Sequence, residues 1–279
     1  MHKRKINQIW IYPIKSLAGI RLKKTIVKQK GLQYDRRWML VDSEGRFLTQ
    51  REHPKMALFS VAIASGYLVI STQPQGMDSV VQSIKLDLNA NVSGSFLKVN
   101  IWDDDVEAVE VNPDYSAWFS RHLNIECRLV FFPEENRRDA DPDYAKNKEQ
   151  VSLADGYPFL IIGQSSLDEL NKKLKEPISI KRFRPNFVFT GGLPHEEDSW
   201  RNFKIGSVSF EGVKPCSRCV LITVNPETGE KGVEPLRELS MYRKKNSKVY
   251  FGENLLARSY GEVNEGDLIE IIDFKNEQP

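Results

Sequence analysis

The sequence predicts a β-rich α+β fold, built as two packed barrel-like units with a few helices. Short runs of β-branched and aromatic residues, separated by turn residues, follow one another through residue 111. Helical spacing of apolar residues occurs at only a few later places. The chain has 279 residues, and this length suits one large domain or two smaller ones.

The N-terminal part is predicted to be almost entirely strand. One stretch, "RWMLVDSEGRFLTQ", is typical of a hairpin, with residues 42–45 as its turn. The other predicted strands in this part are "INQIWIYP", "IRLKKTIVKQ", "MALFSVAIA", "GYLVIST", "VVQSIKLDL", "LKVNIW" and "VEAVEV".

A helix is predicted in the segment "NPDYSAWFSRHLN". Pro113 suits a first helical turn, and Trp118, Phe119 and Leu123 follow at helical spacing. We place the domain junction here, with an N-terminal barrel-like domain of residues 1–112 and a second domain of residues 113–279.

The second half mixes strands, helices and a polar loop. The segment "SSLDELNKKLK" indicates a helix that Ser165 caps, and "EPLRELSMYRKK" indicates another. The polar stretch "EENRRDADPDYAKNKEQ" lacks periodicity and is interpreted as a mobile loop. The predicted strands are "CRLVFF", "NFVFTGG", "GSVSFEG", "CVLITV" and "DLIEIID".

Composition narrows the class of protein. Charge is nearly balanced, with 40 Lys and Arg against 38 Asp and Glu, so we expect no nucleic-acid partner. No apolar run reaches the roughly 18 residues that a membrane span needs, and no signal-peptide pattern is visible. Three cysteines make a disulfide framework unlikely. We therefore expect a cytoplasmic protein with a small-molecule site.

Two of the cysteines, Cys216 and Cys219, form a C-x-x-C. Such a pair can be half a zinc site, a redox dithiol, a ligand for a heavier metal, or two buried thiols. The four histidines are scattered without ligand spacing, which weighs against zinc. The run "CVLITV" predicts a strand that begins at Cys219, not the helix start of a redox dithiol, and alternation along that strand would turn Cys216 to the other face. Flanking Lys214 and Arg218 favour the thiolate form of at least one cysteine.

Several basic and polar residues fall at predicted strand ends. Lys15 and Ser16 follow the first strand, Arg36 precedes the hairpin, and Arg184 and Asn186 lie in "FRPNFVF". This is a donor set that can grip a phosphate or a polar heterocycle. Each residue alone is more often an ordinary surface charge. The sequence contains no dinucleotide-binding, P-loop or Ser-His-Asp signature.

Seven segments, taken together and in this order, resemble a MOSC-domain protein with the MOSC N-terminal β-barrel domain in front. They are "IWIYPIKSLAG", "DRRWMLVDSEGRFLTQRE", "YPFLIIGQSSLDELN", "FRPNFVFTGG", "EEDSW", "CSRCVLITVNPETG" and "FGENLLA". The resemblance spans nearly the whole chain and is strongest to the amidoxime-reducing proteins of mitochondria and their bacterial counterparts.

The resemblance implies an oxidoreductase that binds the molybdenum cofactor (molybdopterin with its metal) and reduces N-hydroxylated and N-oxygenated compounds. It implies Cys219 as the metal ligand and Asp155 as a pocket acid, both taken as catalytic. The residues implied to bind the cofactor are Lys15, Ser16, Arg36, Arg184, Asn186, Ser217 and Arg218. The sequence departs from the family pattern at Gly156 and Tyr157, which affects one wall of the expected pocket. It departs again at Asn225, which affects a turn more than the chemistry.

Segments that this sequence lacks determine which cofactors and partners we expect. No iron–sulfur cysteine pattern follows residue 273, so we expect no intrinsic iron–sulfur cluster. Electrons would then come from a separate donor protein: a ferredoxin, a flavodoxin or a cytochrome-type reductase. We expect no membrane anchor. We also expect no pyridoxal phosphate, because the chain is too short to add the desulfurase domain that would bind it. The alternative function is a carrier of the cofactor or of a persulfide, without turnover.

Overall fold

The computed structural model describes residues 3–72, 80–89 and 94–275. Within these ranges the chain forms nineteen β-strands and three α-helices, so the predicted β-rich α+β class is confirmed. The first ten strands are β1 (Lys5–Ile11), β2 (Ile20–Leu22), β3 (Lys24–Lys28), β4 (Gly31–Leu32), β5 (Trp38–Val41), β6 (Ser60–Ala64), β7 (Tyr67–Ser71), β8 (Ser83–Asp87), β9 (Phe96–Ile101) and β10 (Asp104–Glu110).

The remaining strands and the helices follow in the second half. The strands are β11 (Arg128–Phe131), β12 (Phe159–Gly163), β13 (Phe187–Thr190), β14 (Trp200–Ile205), β15 (Val208–Arg218), β16 (Lys244–Lys245), β17 (Lys248–Ala257), β18 (Gly261–Asn264) and β19 (Ile269–Phe274). The helices are α1 (Pro113–Leu123), α2 (Gln164–Lys173) and α3 (Leu236–Tyr242).

The strands are arranged in four sheets. The largest has the order β19-β14-β15-β17-β12-β13-β1-β2, with β16 beside β17. The others have the orders β5-β11-β10-β9, β18-β3-β4 and β6-β7-β8. Four antiparallel pairs, β1 with β13, β3 with β18, β5 with β11 and β10 with β11, join strands from the first 112 residues to strands from the rest of the described chain. The division at residue 112 stays a prediction.

Two predicted strands are interrupted. The stretch "IRLKKTIVKQ" divides into β2 and β3, which belong to different sheets, because the chain bends at Lys23 and its carbonyl accepts from the Glu265 N–H across 2.8 Å. The stretch "MALFSVAIA" begins inside a 3₁₀ turn at Pro54–Leu58, since proline holds a helical φ at the start of the turn.

The helices begin and end for identifiable reasons. The Asn112 side chain accepts from the Asp114 N–H across 2.7 Å at the start of α1, and Pro113 follows at its first position, as predicted. Helix α2 begins before Ser165, so the predicted cap is wrong. The reason is that the buried Glu197 carboxylate, from a distant turn, accepts from the Gly163 N–H across 3.0 Å.

The polar loop after β11 is irregular, as its sequence indicates, but it is anchored and not free. Ala140 and Ala145 are buried in an apolar cluster with Leu256. The Ala140 N–H also donates to the Glu149 carbonyl across 2.8 Å. The sequence predicted a mobile loop because the few residues that anchor it are small and are surrounded by polar ones.

Aromatic packing fixes the strands beneath the site. Phe159 on β12, Phe187 on β13 and Phe210 on β15 are each at most 1% exposed and lie within 5.5–6.4 Å of one another, centroid to centroid. Burying one such side chain contributes about 1.5–3 kcal/mol. Within the described part of the chain, no helix is long and apolar enough to cross a membrane.

Candidate functional site

One cleft brings together all the residues predicted for the site. The cleft and the open solvent at its mouth together take up about 840 Å³. The predicted residues that line it are Lys15, Ser16, Arg36, Asp155, Arg184, Asn186, Ser217, Arg218 and Cys219. They come from widely separated segments, which the sheet pairings described above bring together.

The turn after β1 presents Lys15 and Ser16. The Lys15 N–H donates to the Trp38 carbonyl across 2.8 Å, which ties the turn to β5. Ser16 has a φ of 68°, in the left-handed region that non-glycine residues rarely occupy. Its carbonyl accepts from Gln50 Nε2 across 2.6 Å. Both side chains are therefore held at the cleft by backbone contacts.

Arg36 and Arg184 stack against the same aromatic ring. Each guanidinium lies 4.2 Å from the centroid of Tyr12. Arg36 donates to Asp35 across 2.6 Å and to the Arg184 carbonyl across 3.1 Å. Both arginines have a positive φ, 48° and 54°. Such strain persists only where the surrounding structure over-determines it, and it concentrates at functional sites.

Several positively charged side chains lie close together in the cleft. Burial lowers the pKa of Arg184 to about 10, and the charge of Arg36 adds to that shift. Burial likewise lowers the pKa of Lys15 to about 8, although Asp155 opposes the change. These cations hold their charge at a cost, so a bound anion would stabilise them.

Asp155 accepts hydrogen bonds from three side chains at the mouth of the cleft. They are Lys15 at 2.5 Å, Arg51 at 3.1 Å and Trp102 at 3.2 Å. Burial acts to raise the pKa of Asp155, but the charges of Lys15 and Arg51 outweigh it and hold the pKa well below its usual range. Asp155 is therefore a carboxylate near neutral pH and has no proton to donate.

Cys219 is exposed and has an arginine as its neighbour. Arg51 Nε donates to Cys219 Sγ across 3.2 Å. The predicted strand "CVLITV" is wrong, because Cys219 follows the end of β15 and residues Val220–Thr223 form a 3₁₀ turn. The Thr223 hydroxyl closes this turn by donating to the Val220 carbonyl across 2.8 Å. The sulfur thus lies at the end of a strand.

Cys216 lies in the same cleft, so the expectation that the two cysteines face opposite ways is wrong. The pairing of β15 with β17 shifts between Pro215 and Ser217, and such a bulge interrupts the alternation of side chains. Cys216 packs against an apolar cluster that includes Ile222, as expected of a structural thiol. Burial raises the pKa of this thiol.

Lys214 and Arg218, which flank the cysteines in the sequence, donate hydrogen bonds to residues other than the cysteines. Lys214 donates to Asp141 across 3.2 Å and lies 4.4 Å from the Tyr144 ring centroid. Arg218 donates to the carbonyls of Phe251 and Phe183 across 2.9 and 3.0 Å. Its Nη2 is buried without a partner among the described residues, which leaves one donor unused.

The Asn186 side chain already makes hydrogen bonds within the protein, whereas Ser217 lies exposed on the cleft. The Asn186 amide donates to the Trp10 carbonyl and to Asp35, and it accepts from the Leu160 N–H, across 3.1–3.2 Å. It therefore braces three segments of the cleft wall. Ser217 is exposed on the cleft beside the cysteines.

Sequence reasoning missed two side chains, Arg51 and Trp102, that donate to Asp155 at the mouth of the cleft. Arg51 is the last but one residue of the quoted segment "DRRWMLVDSEGRFLTQRE", but nothing distinguished it from a surface charge. Trp102 lies in a turn at a φ of 58°, and the Arg51 guanidinium lies 4.5 Å from its ring centroid. No sequence signal pointed to Trp102. Within the described ranges, no three His, Cys, Asp or Glu side chains form a metal-binding group.

The fold and the cleft define a strand-rich protein that presents a cysteine beside clustered cations. Residues 3–126 match the MOSC N-terminal beta barrel domain and residues 148–270 match the MOSC domain. The chain belongs to the MOSC-domain family, and the resemblance inferred from its sequence is confirmed.

Several curated proteins are similar over most of the chain. Mitochondrial amidoxime-reducing component 1 of Mus musculus is 30% identical over 284 residues, which cover 96% of this chain and 82% of that protein. Mitochondrial amidoxime reducing component 2 of Rattus norvegicus is 32% identical over 250 residues, 85% of this chain and 72% of that one. Molybdenum cofactor sulfurase of Oryza sativa subsp. japonica is 28% identical over 285 residues, 94% of this chain but 33% of that protein.

Proposed function

We propose that this chain binds the molybdenum cofactor in the cationic cleft, with Cys219 as the protein's metal ligand, and reduces N-hydroxylated and N-oxygenated compounds. Electrons come from a separate donor protein. The observation that carries the proposal is the exposed Cys219 thiol, which lies in a cleft lined by cations. Similarity to an amidoxime-reducing component over 96% of the chain supports the reaction class.

The charges of the cleft suit an anionic, phosphate-bearing cofactor. Five cations line it, namely Lys15, Arg36, Arg51, Arg184 and Arg218, whereas Asp155 is the one carboxylate among its lining residues within the described chain. Arginine binds phosphate through paired, charge-assisted hydrogen bonds. The unused Nη2 of Arg218 and the depressed pKa of Arg184 both favour an added anion.

Each group has a role that follows from its position. Arg36, Arg184 and Lys15 would bind the phosphate, and Ser217 and Arg218 would contact the cofactor beside the metal. Cys219 supplies a soft sulfur, which suits molybdenum better than an oxygen ligand would. When bound, the cofactor supplies the two-electron chemistry that cleaves the N–O bond.

Asp155 would not act as a proton donor, which is the role that a carboxyl group in a pocket suggests. Because it is ionised and already accepts from Lys15 and Arg51, it would orient a substrate N–H and would not supply a proton. The carboxylate also holds Arg51, which in turn contacts Cys219. Asp155 therefore links substrate orientation to the position of the sulfur.

Metal analysis and turnover together test the proposal. Protein purified from a host that makes the cofactor should contain molybdenum. It should also reduce an amidoxime or a hydroxylamine when a chemical reductant supplies electrons. Molybdenum-loaded protein that reduces neither compound class would contradict the reductase assignment.

A carrier of the cofactor or of a persulfide is the second candidate. The exposed Cys219 thiol favours it, as does the similarity to a molybdenum cofactor sulfurase. A carrier would bind the cofactor and release it to an acceptor protein without reducing an N–O bond. Turnover with a chemical reductant therefore distinguishes the two candidates.

A further inference from the structure

An open groove begins at Cys219 and runs away from the cleft, along the surface of α3 and β16. Ser217, Arg218 and Cys219 line both the cleft and this groove. We define the basic groove by its charged and exposed apolar lining residues: Arg218, Arg237, Lys244, Lys248, Val220 and Val233.

The charged side chains that line the groove are all cations. Arg237 is paired with Glu234 across 2.5 Å, so its charge is largely compensated. Lys244 and Lys248 have no ion-pair partner in the described part of the chain. The groove therefore presents uncompensated positive charge next to the cysteine.

A tight hairpin fixes the position of these lysines. Strands β16 and β17 pair directly, with Lys245 opposite Lys248. Asn246 and Ser247 connect them at φ values of 49° and 62°. Positive φ at both central residues is typical of a two-residue turn that matches the twist of its strands. The turn holds three lysines on one short hairpin, although mutual repulsion would otherwise spread them apart.

Apolar side chains complete the surface. Val220 and Val233 are 54% and 61% exposed although they lie in the groove. Exposed apolar groups surrounded by charged ones are typical of a protein interface. A small molecule usually binds where most of its surface is buried, and this groove is too open for that. The groove therefore suits a macromolecular partner with acidic groups.

We propose that the basic groove docks an acidic one-electron carrier protein, of the ferredoxin or flavodoxin type, which reduces the centre at Cys219. This inference rests on the proposed reductase function. Each turnover takes two electrons from two reduced carriers together with two protons. The N–O bond breaks, the oxygen leaves as water, and the carriers are released oxidised. Electron transfer weakens steeply with distance, and docking here brings the carrier to the residues that border the cleft.

Charge reversal in the groove tests the proposal. The variant is Lys244→Glu/Lys248→Glu, and the matched control is Lys28→Glu/Lys85→Glu, which reverses two exposed lysines that line neither the cleft nor the groove. Reduction of benzamidoxime is measured with three electron sources: dithionite-reduced methyl viologen, a reduced flavodoxin, and a reduced plant-type ferredoxin.

We expect the groove variant to lose about tenfold or more in kcat/KM for at least one of the two carriers, without slowing the methyl viologen reaction. The carrier-dependent rate of the unmodified protein should fall as salt rises, and the control variant should behave like the unmodified protein. The docking site is overturned if neither carrier supports turnover, if the variant keeps its carrier-dependent rate, or if its KM for benzamidoxime rises with methyl viologen. Absence of turnover with methyl viologen in the unmodified protein would instead reject the reductase function, and the docking proposal with it.

Discussion

Arg51 and Cys219 are joined by a hydrogen bond from Nε to Sγ of 3.2 Å. The guanidinium is held on two further sides, by Asp155 at 3.1 Å and by the face of Trp102 at 4.5 Å. Burial acts to lower the pKa of Arg51, but Asp155 and Cys219 outweigh it and raise the pKa. Arg51 is thus a permanently charged group that positions the sulfur.

Replacing Arg51 tests this positioning role. Arg51→Gln should weaken cofactor retention and turnover by roughly 10- to 100-fold, because a hydrogen bond from a charged donor contributes about 1.5–3 kcal/mol. Arg51→Lys should recover part of the loss, since it restores the charge without the planar fork. Molybdenum content and kcat measure both effects.

The control for this experiment is Arg46→Gln. Arg46 is exposed, pairs with Asp42 and Glu44, and does not line the cleft. Its replacement should change neither quantity. If Arg51→Gln retained full molybdenum and full turnover, Arg51 would have no role in holding the site.

Phosphate binding to the cofactor-free protein should depend on pH through Lys15. Its folded pKa of about 8 lies below its ordinary value, so Lys15 loses its charge as pH rises through 8, whereas sulfate, an analogue of phosphate, stays a dianion over this range. The affinity for sulfate, measured by calorimetry, should therefore fall between about pH 7 and pH 9. Lys15→Gln should bind more weakly and remove this pH dependence. An unchanged pH profile in Lys15→Gln would show that another group is responsible.

A buried carboxyl on β17 should make stability depend on pH. Burial raises the pKa of Glu253 to about 8, against the opposing charge of Lys275. A raised carboxyl pKa gives stability that is complete at pH values below about 4.5 and is lost as pH rises through about 8. The free energy of unfolding should decrease across that window, by at most about 1.4 kcal/mol per pH unit.

Glu253→Gln should reduce this dependence, because the amide stays neutral at every pH. The part due to Glu197, whose pKa burial raises to about 7, should remain. The exposed Glu107→Gln provides the matched control and should leave the slope unchanged. Denaturant titrations between pH 5 and pH 9 measure all three proteins. A slope in Glu253→Gln as steep as in the unmodified protein would assign the dependence to other groups.

The sequence predicted more of the fold than of the site's contacts. Alternating β-branched runs indicated most strands, and Pro113 with Trp118 indicated α1, because those signals are local. The 3₁₀ turn after Cys219 was missed because a short apolar run does not distinguish a strand from a turn. The bond from Arg51 to Cys219 spans 168 positions, and no local pattern encodes such a contact. The resemblance named the other cleft residues, but only the tertiary structure brings Trp102 to Asp155.

The ligand role of Cys219 is the central claim, and one comparison tests it most directly. Cys219→Ser and Cys216→Ser are made in a host that supplies the cofactor, and molybdenum content, thermal stability and amidoxime turnover are measured side by side. Cys216→Ser should lower stability by about 1–3 kcal/mol, because its hydroxyl replaces a thiol packed against an apolar cluster.

We expect Cys216→Ser to keep its molybdenum and most of its turnover. Cys219→Ser should lose more than about 100-fold in turnover, since even residues that only orient a metal ligand contribute 10- to 100-fold. The cationic cleft would still hold the rest of the cofactor. A Cys219→Ser protein that retains molybdenum and reduces amidoximes at a near-parental rate would contradict the account.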